Sequence, residues 1–131
     1  MPLARTVRVT KRFTFEMAHA LRCHDGQCAN IHGHSYVLDV TIAGTPAHAP
    51  GHPKDGMVID FADLKAIIDG VVGRFDHAVI NDLPPFDQRN TTAELLAQYV
   101  FEEVGPLLPP GRSVRRVEVC ETETSCAIYE P

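Results

Sequence analysis

Residues 32–42 read HGHSYVLDVTI, and this stretch decides the fold. Apolar side chains recur on even positions, namely Tyr36, Leu38, Val40 and Ile42. A period of two is typical of a β-strand with one buried face. His32 and His34 share the even parity, so the strand should carry two imidazoles on the face that packs against the core.

The preceding segment shows the same period with odd parity. Its apolar positions are Val7, Val9, Phe13, Phe15 and Met17. His19 continues the odd series and belongs to the face of Phe15 and Met17. If the two strands are neighbours, they aim the imidazoles of His19, His32 and His34 into one space.

Two amphipathic helices follow a proline-containing loop. The first should begin at an Asp60 N-cap, because the apolar residues after it recur at helical spacing: Leu64, Ile67, Ile68, Val71, Val72 and Phe75. The second should begin near Thr91, which with Glu94 matches a capping box, and should end at Gly105. Its apolar face is formed by Leu95, Leu96, Tyr99, Val100 and Val104.

The C-terminal region returns to strand patterns, first around Val117 and Val119 and then over 127–129. The order strand-strand-helix-helix-strand-strand predicts an α+β fold, with a four-stranded antiparallel sheet and two helices on one face. The 131 residues fit a single domain spanning 1–131. Such a sheet has two edges to cover, and we expect a homo-oligomer to cover them.

Charge and hydropathy limit the class of partner and the cellular compartment that we expect for this protein. The formal net charge of −5 argues against a nucleic-acid partner. The chain has no apolar run of about 18 residues, and Met1 to Thr10 lack an apolar signal core, so we expect no membrane association and a cytoplasmic location. The four cysteines are therefore expected to be free, catalytic or metal-bound rather than paired, with Cys120 and Cys126 as small buried residues of apolar strands.

Three imidazoles with an open fourth position form a catalytic zinc arrangement, so His19, His32 and His34 are the candidate ligands for Zn²⁺. The alternatives are a loop of solvated histidines and a closed structural zinc site. The structural site would use C-x4-C-x3-H-x-H, with Cys23 and Cys28 as the sulfur ligands. The other loop histidines are expected to be solvated: His24, His48 and His52.

Longer motifs resemble the 6-pyruvoyl-tetrahydropterin synthase family over nearly the whole chain. They are FEMAH at 15–19, CANIHGHS at 28–35, MVIDFADL at 57–64, FDHAVIND at 75–82 and CET at 120–122. The order of the motifs matches the family as well. Two departures are Thr91, where a proline is common in the family, and the additional cysteine Cys23.

The resemblance implies a tunnelling fold whose subunits assemble into a ring or double ring, such as a hexamer. It implies zinc held at the positions of the three histidines and a proton-abstracting thiol at Cys28. A proton relay is implied at Asp76 and His77, and a pterin-anchoring carboxylate at Glu121. Thr92 and Glu94 are implied to line the pterin pocket, although helix capping explains both equally well.

Taken without the resemblance, these residues have other interpretations. Cys28 is also compatible with a small buried apolar residue. Asp76 and His77 are compatible with a surface pair, and as adjacent residues they need a turn to act together. Glu121 is in phase with Val117 and Val119, where a carboxylate is costly unless it is paired, but a residue at a sheet edge is the alternative.

The implied substrate is 7,8-dihydroneopterin triphosphate. Only three residues separate Cys28 from His32. This short spacing resembles that of the 6-carboxytetrahydropterin synthase branch of the family, which serves queuosine biosynthesis. The pyruvoyl-forming branch and a non-catalytic zinc- or pterin-binding module are the alternatives. The sequence does not select among the basic candidates for the triphosphate, which are Arg22, Lys54, Lys65, Arg74 and Arg89.

Overall fold

The computed structural model describes residues 5–131. Two long strands open the chain, β1 (Val7–His19) and β2 (His32–Gly44). Helix α1 (Phe61–Val72), a short strand β3 (Ala78–Val79) and helix α2 (Ala93–Val104) follow. Strands β4 (Ser113–Thr122) and β5 (Ser125–Tyr129) close it, which confirms the α+β class and the predicted order of the longer elements.

The sheet has five strands in the order β3-β1-β2-β4-β5, so the predicted strand count of four was wrong. The additional strand, β3, runs parallel to β1 and pairs through Met17 with Ala78 and Ala18 with Val79. The four longer strands pair antiparallel as predicted. Two residues are too few to show a period, and for this reason β3 leaves no signal in the sequence.

The pairing of β1 with β2 is continuous from Val7 opposite Gly44 to His19 opposite His32. This register fixes which side chains share a face, because strand residues alternate between the two faces of a sheet. The odd residues of β1 and the even residues of β2 therefore lie together. Phe15 of β1 stacks on Tyr36 of β2 with ring centroids 5.4 Å apart.

Both helices contribute buried residues to the core that covers this face of the sheet. Helix α1 begins as predicted, since the Asp60 carboxylate accepts a hydrogen bond from the Ala62 amide. The N-cap of α2 is Thr92 rather than Thr91, and its hydroxyl accepts from the Leu95 amide at 3.2 Å. The predicted capping box at Thr91 and Glu94 was therefore wrong by one residue.

The expectation of free thiols holds for Cys23 and Cys28 but not for the other two cysteines. Cys120 and Cys126 form a disulfide. They are directly opposite each other in the β4–β5 pairing, which brings their side chains together on one face. Neither is fully buried, so the prediction of two small core residues was also wrong.

Within residues 5–131, neither α1 nor α2 has the length and apolar character that a membrane crossing requires.

Candidate functional site

Three histidines converge at the end of the β1–β2 pair. Their ligand-capable ring nitrogens all lie within 4.8 Å of one another. Ring centroids are separated by 4.6 Å for His19 and His32, 5.1 Å for His19 and His34, and 4.9 Å for His32 and His34. His19 is 1% exposed, whereas His32 and His34 are partly exposed. We call this group the histidine cluster.

Hydrogen bonds set the orientation of two of these rings. The Nδ1 of His19 lies 2.8 Å from the carbonyl oxygen of Thr91, and the Nδ1 of His32 lies 2.7 Å from that of Asn30. A carbonyl only accepts, so each Nδ1 must carry the proton. The Nε2 of each ring then has a free lone pair, which is the usual arrangement of metal-ligating histidines.

The spacing of two ring nitrogens in the cluster matches that expected around a zinc ion. The Nε2 atoms of His19 and His34 lie 3.2 Å apart. A tetrahedral ion with Zn–N bonds of about 2.0–2.1 Å holds two ligand nitrogens roughly 3.3 Å apart. Burial lowers the pKa of His19, and the hydrogen bond to Thr91 opposes that shift. A lowered pKa favours the neutral imidazole that a metal requires.

Glu121 joins this cluster from the neighbouring strand. Its carboxylate oxygens lie 3.9 Å from His19 Nε2 and 4.0 Å from His34 Nε2. The β4–β5 register shifts between Cys120 and Thr122, which makes Glu121 the additional residue of a β-bulge. A bulge re-aims a side chain, and here it accompanies a carboxylate on the core-facing side of the sheet.

A cleft of about 520 Å³ lies between the first turns of α2 and strand β5. Glu121 and Glu94 both line it, together with Gln98 and Tyr129. Glu121 thus borders the histidine cluster on one side and the α2–β5 cleft on the other. Thr92, which was expected to line the pterin pocket, is not among the lining residues, and its hydroxyl caps the helix.

Asp76 and His77 form a contact pair at a turn before β3. His77 Nδ1 lies 2.9 Å from the Asp76 carboxylate, and His77 has a left-handed φ of 58°. The turn is fastened to β1, since Glu16 donates its amide to the Asp76 carboxylate at 3.0 Å and accepts from the His77 amide at 2.6 Å. A shallow surface depression has both His34 and His77 in its wall.

Cys28 lies in a single 3₁₀ turn, Gln27–Ala29, directly before the histidine-bearing part of β2. Its thiol is free and half-buried, and its carbonyl accepts from the Leu21 amide at 2.8 Å. Within residues 5–131, neither Cys23 nor Cys28 joins a metal-capable group with the histidines. The geometry therefore favours three imidazoles over the Cys2His2 alternative.

Comparison with known proteins identifies the family. The profile of the 6-pyruvoyl tetrahydropterin synthase family matches residues 8–131. The chain belongs to this family.

Two bacterial relatives are similar over most of their length. The 6-carboxy-5,6,7,8-tetrahydropterin synthase of Haemophilus influenzae is 34% identical over 142 residues, covering 94% of this chain and 98% of that protein. The Synechocystis protein of the same name is 38% identical over 122 residues, covering 92% and 91%. The solved structure of Caenorhabditis elegans 6-pyruvoyl tetrahydropterin synthase superposes with a TM-score of 0.84 at 28% identity, covering 100% and 99%.

This member of the tetrahydropterin synthase family contains two supporting residues that the sequence patterns did not reveal. Thr91 is buried, and its carbonyl orients His19 across 72 positions of the chain. Tyr36 is 1% exposed, and its hydroxyl has no hydrogen-bond partner among the described residues. Its ring lies 5.4 Å from that of His34, and burial strongly raises the pKa of the phenol.

Four of the five basic candidates for the triphosphate are already engaged within the chain. Lys54 pairs with Asp63 and Lys65 with Asp69. Arg22 donates to the carbonyl of Asp87, and Arg74 donates to the Tyr99 hydroxyl. Arg89 has no ion pair among residues 5–131. The solvation predicted for His24, His48 and His52 is confirmed, since all three are exposed.

Proposed function

We propose that the chain is a 6-carboxy-5,6,7,8-tetrahydropterin synthase of queuosine biosynthesis, acting as one domain over 1–131. It converts 7,8-dihydroneopterin triphosphate to 6-carboxy-5,6,7,8-tetrahydropterin, acetaldehyde and triphosphate. One observation carries the proposal: Glu121 lies about 4 Å from two imidazoles of the histidine cluster and also lines the α2–β5 cleft. A pterin anchored in the cleft would thereby place its side chain beside the cluster.

The metal in this proposal is zinc held by His19, His32 and His34. When bound, zinc supplies Lewis acidity that makes a hydroxyl-bearing carbon of the substrate side chain easier to deprotonate. The protein's contribution is to hold three neutral nitrogens in place. The carbonyls of Thr91 and Asn30 do so for two of them, by fixing the tautomers of His19 and His32.

Glu121 is proposed to anchor the pterin. The amino-pyrimidinone edge of a pterin presents two adjacent N–H donors, which a carboxylate accepts in a bidentate fashion. Glu94 lines the same cleft and is proposed as a further contact. Thr92 supports the cleft indirectly, since its hydroxyl caps the helix that carries Glu94.

Cys28 is proposed as the base that removes a carbon-bound proton, because its free, half-buried thiol lies in the turn directly before the histidine-bearing part of β2. Asp76 and His77 are proposed to relay protons, since His77 shares a surface depression with His34 of the cluster. Their 2.9 Å contact supports this role, because a carboxylate that contacts an imidazole orients it for proton transfer.

We further propose that the protein is a homo-oligomer. Among the described residues, β3 covers β1 only at Met17 and Ala18, so the rest of that edge of β1 has no strand partner. Strand β5 forms the other edge of the sheet. Two open edges favour strand pairing between copies, as in a ring of subunits. The mass of the protein in solution, measured by light scattering, tests this.

The reaction is tested by incubating the purified protein with 7,8-dihydroneopterin triphosphate and quantifying acetaldehyde against triphosphate. Equal amounts support the carboxy-forming reaction. Release of triphosphate without acetaldehyde, with accumulation of the pyruvoyl product, supports the alternative, which is 6-pyruvoyl-tetrahydropterin synthesis. The structural similarity to C. elegans 6-pyruvoyl tetrahydropterin synthase is the reason for testing this alternative. Pterin binding without turnover supports a non-catalytic module.

A further inference from the structure

A second group of metal-capable side chains lies on the other face of the sheet. Glu118, Cys120 and Cys126 have their ligand atoms within 4.8 Å of one another. Val117 and Val119 of β4 are fully buried in the core, so the residues between and after them point to the face away from the helices. We call the three residues the open-face cluster.

The two sulfurs are positioned by the sheet itself. Cys120 and Cys126 are directly opposite each other on β4 and β5, and they form a disulfide. Because the register of the strands holds them side by side, the sulfurs remain neighbours after the bond is broken. Two adjacent thiolates are a preferred donor set for thiophilic ions such as Zn²⁺ and Cd²⁺.

The carboxylate of Glu118, the third donor, is also held in position. Oε1 of Glu118 lies 3.5 Å from the Sγ of Cys120, whereas Oε2 accepts a hydrogen bond from Arg116 at 2.6 Å. One carboxylate oxygen therefore faces the sulfurs while the other is held by a cation. Such a contact orients a ligating carboxylate.

We propose that the open-face cluster is a redox-gated site for a thiophilic divalent cation, open when the Cys120–Cys126 disulfide is reduced. A phosphine and one water molecule reduce the disulfide: the S–S bond breaks, two thiols form and the phosphine becomes its oxide. The cation then replaces the two thiol protons. Two thiolates and one carboxylate carry three negative charges, which the divalent ion and Arg116 balance.

The proposal is independent of the reaction proposed above. The open-face cluster and the histidine cluster lie on opposite faces of the same sheet, so each can bind an ion without the other. Oxidation closes only the open-face site, because the histidine cluster contains no sulfur ligand. The number of ions bound per chain should therefore depend on the redox state.

The test uses Cd²⁺ alone as the probe, titrated into oxidised protein and into protein reduced with a phosphine that is then removed. We expect reduction to add one tightly bound Cd²⁺ per chain, together with a thiolate-to-cadmium charge-transfer band in the ultraviolet. If the oxidised and reduced proteins bind the same number of Cd²⁺ ions and reduction produces no new ultraviolet band, the proposal is wrong. This comparison needs no variant, so it does not depend on a mutant folding.

Variants assign the ligands. Cys126→Ser should abolish the additional equivalent and the band, while Cys23→Ser and Cys28→Ser should retain both. Glu118→Gln should keep the band but weaken the affinity by about tenfold, because a charged oxygen donor is lost while both thiolates remain. If the band is lost in Cys23→Ser or Cys28→Ser and kept in Cys126→Ser, the ion is bound elsewhere and the proposal is wrong.

Discussion

The candidate site divides into a strand-borne group and a turn-borne group. The strand-borne group consists of His19, His32, His34 and Glu121, whose positions follow from β-pairing and residue alternation. The turn-borne group consists of Cys28, Asp76 and His77, which lie in short turns beside the sheet. His19 is almost fully buried, whereas His77 is exposed.

From this difference we infer a division of roles between the two groups. Groups held by a sheet and by buried hydrogen bonds are suited to fixed geometry, as a metal or an anchored ring requires. Groups on surface turns are suited to proton transfer, because they keep contact with solvent. The predictions below test this division, in order of decreasing expected effect.

Removing one imidazole from the strand-borne group should have the largest effect. We expect His32→Ala to reduce bound zinc from one ion per chain to nearly none and to lower turnover to background, since three ligands define the site. The circular dichroism spectrum should stay native, because His32 lies at the edge of the core. Metal analysis is the readout, with the exposed His52→Ala as matched control. Undiminished zinc in His32→Ala would contradict the ligand assignment.

The turn-borne thiol should affect turnover without affecting binding. We expect Cys28→Ala to lower kcat by roughly 10³-fold, within the range for loss of a general base, while zinc and pterin affinity are unchanged. Cys23→Ala is the matched control and should be nearly neutral, since Cys23 is exposed. Steady-state kinetics and metal analysis measure both. The opposite behaviour of the two variants would assign the base to Cys23.

His77 allows a separation of backbone and side-chain effects. Its φ of 58° is tolerated by asparagine, so His77→Asn removes the imidazole without adding backbone strain. We expect turnover to fall by roughly 10²-fold and the melting temperature to stay within about 1 °C, because an exposed side chain contributes little to stability. Steady-state kinetics and thermal denaturation are the two measurements. A His77→Asn enzyme that works at the full rate would remove His77 from the relay.

Glu121 should affect binding more than folding. We expect Glu121→Gln to weaken pterin binding by about 2 kcal/mol, or roughly 30-fold in Kd, through loss of a charge-assisted contact. The exposed Glu123→Gln on the same hairpin is the control. Calorimetric titration with a pterin measures the affinities. If Glu121→Gln binds as tightly as the parent protein, the anchor lies elsewhere in the cleft.

The smallest effect concerns pH in the metal-free protein. Burial lowers the pKa of His19 below the 6.5 of an exposed imidazole, so below pH 6.5 the unfolded chain binds more protons than the folded one. The free energy of unfolding therefore includes a contribution from the neutral His19 imidazole. This contribution is fully present above pH 6.5 and falls as the pH drops towards the lowered pKa. The loss is at most about 1.4 kcal/mol per pH unit for one proton.

Urea denaturation between pH 7.5 and 5.5 measures this effect. His19→Asn places an amide N–H near the position of Nδ1, where it can donate to the Thr91 carbonyl, and it does not titrate, so its stability should change less over the same range. Equal slopes for the two proteins would show that other groups dominate.

Most of the strand-borne group could be predicted from the sequence. The even parity of His32 and His34, the odd parity of His19 and the phase of Glu121 each follow from alternation within one strand. The family motifs added Cys28, Asp76 and His77, which no period indicates. The turn required for Asp76 and His77 to act together is present, with His77 in the left-handed region.

The sequence by itself determined the α+β class, the long strands, both helices and the faces on which the imidazoles lie. Only the tertiary structure decided that β3 joins the sheet, that Thr91 rather than a local residue orients His19, and that Cys120 meets Cys126. The physical reason is the separation along the chain of the residues that each interaction joins. Alternation and capping are properties of a few consecutive residues, whereas these contacts depend on how distant segments pack.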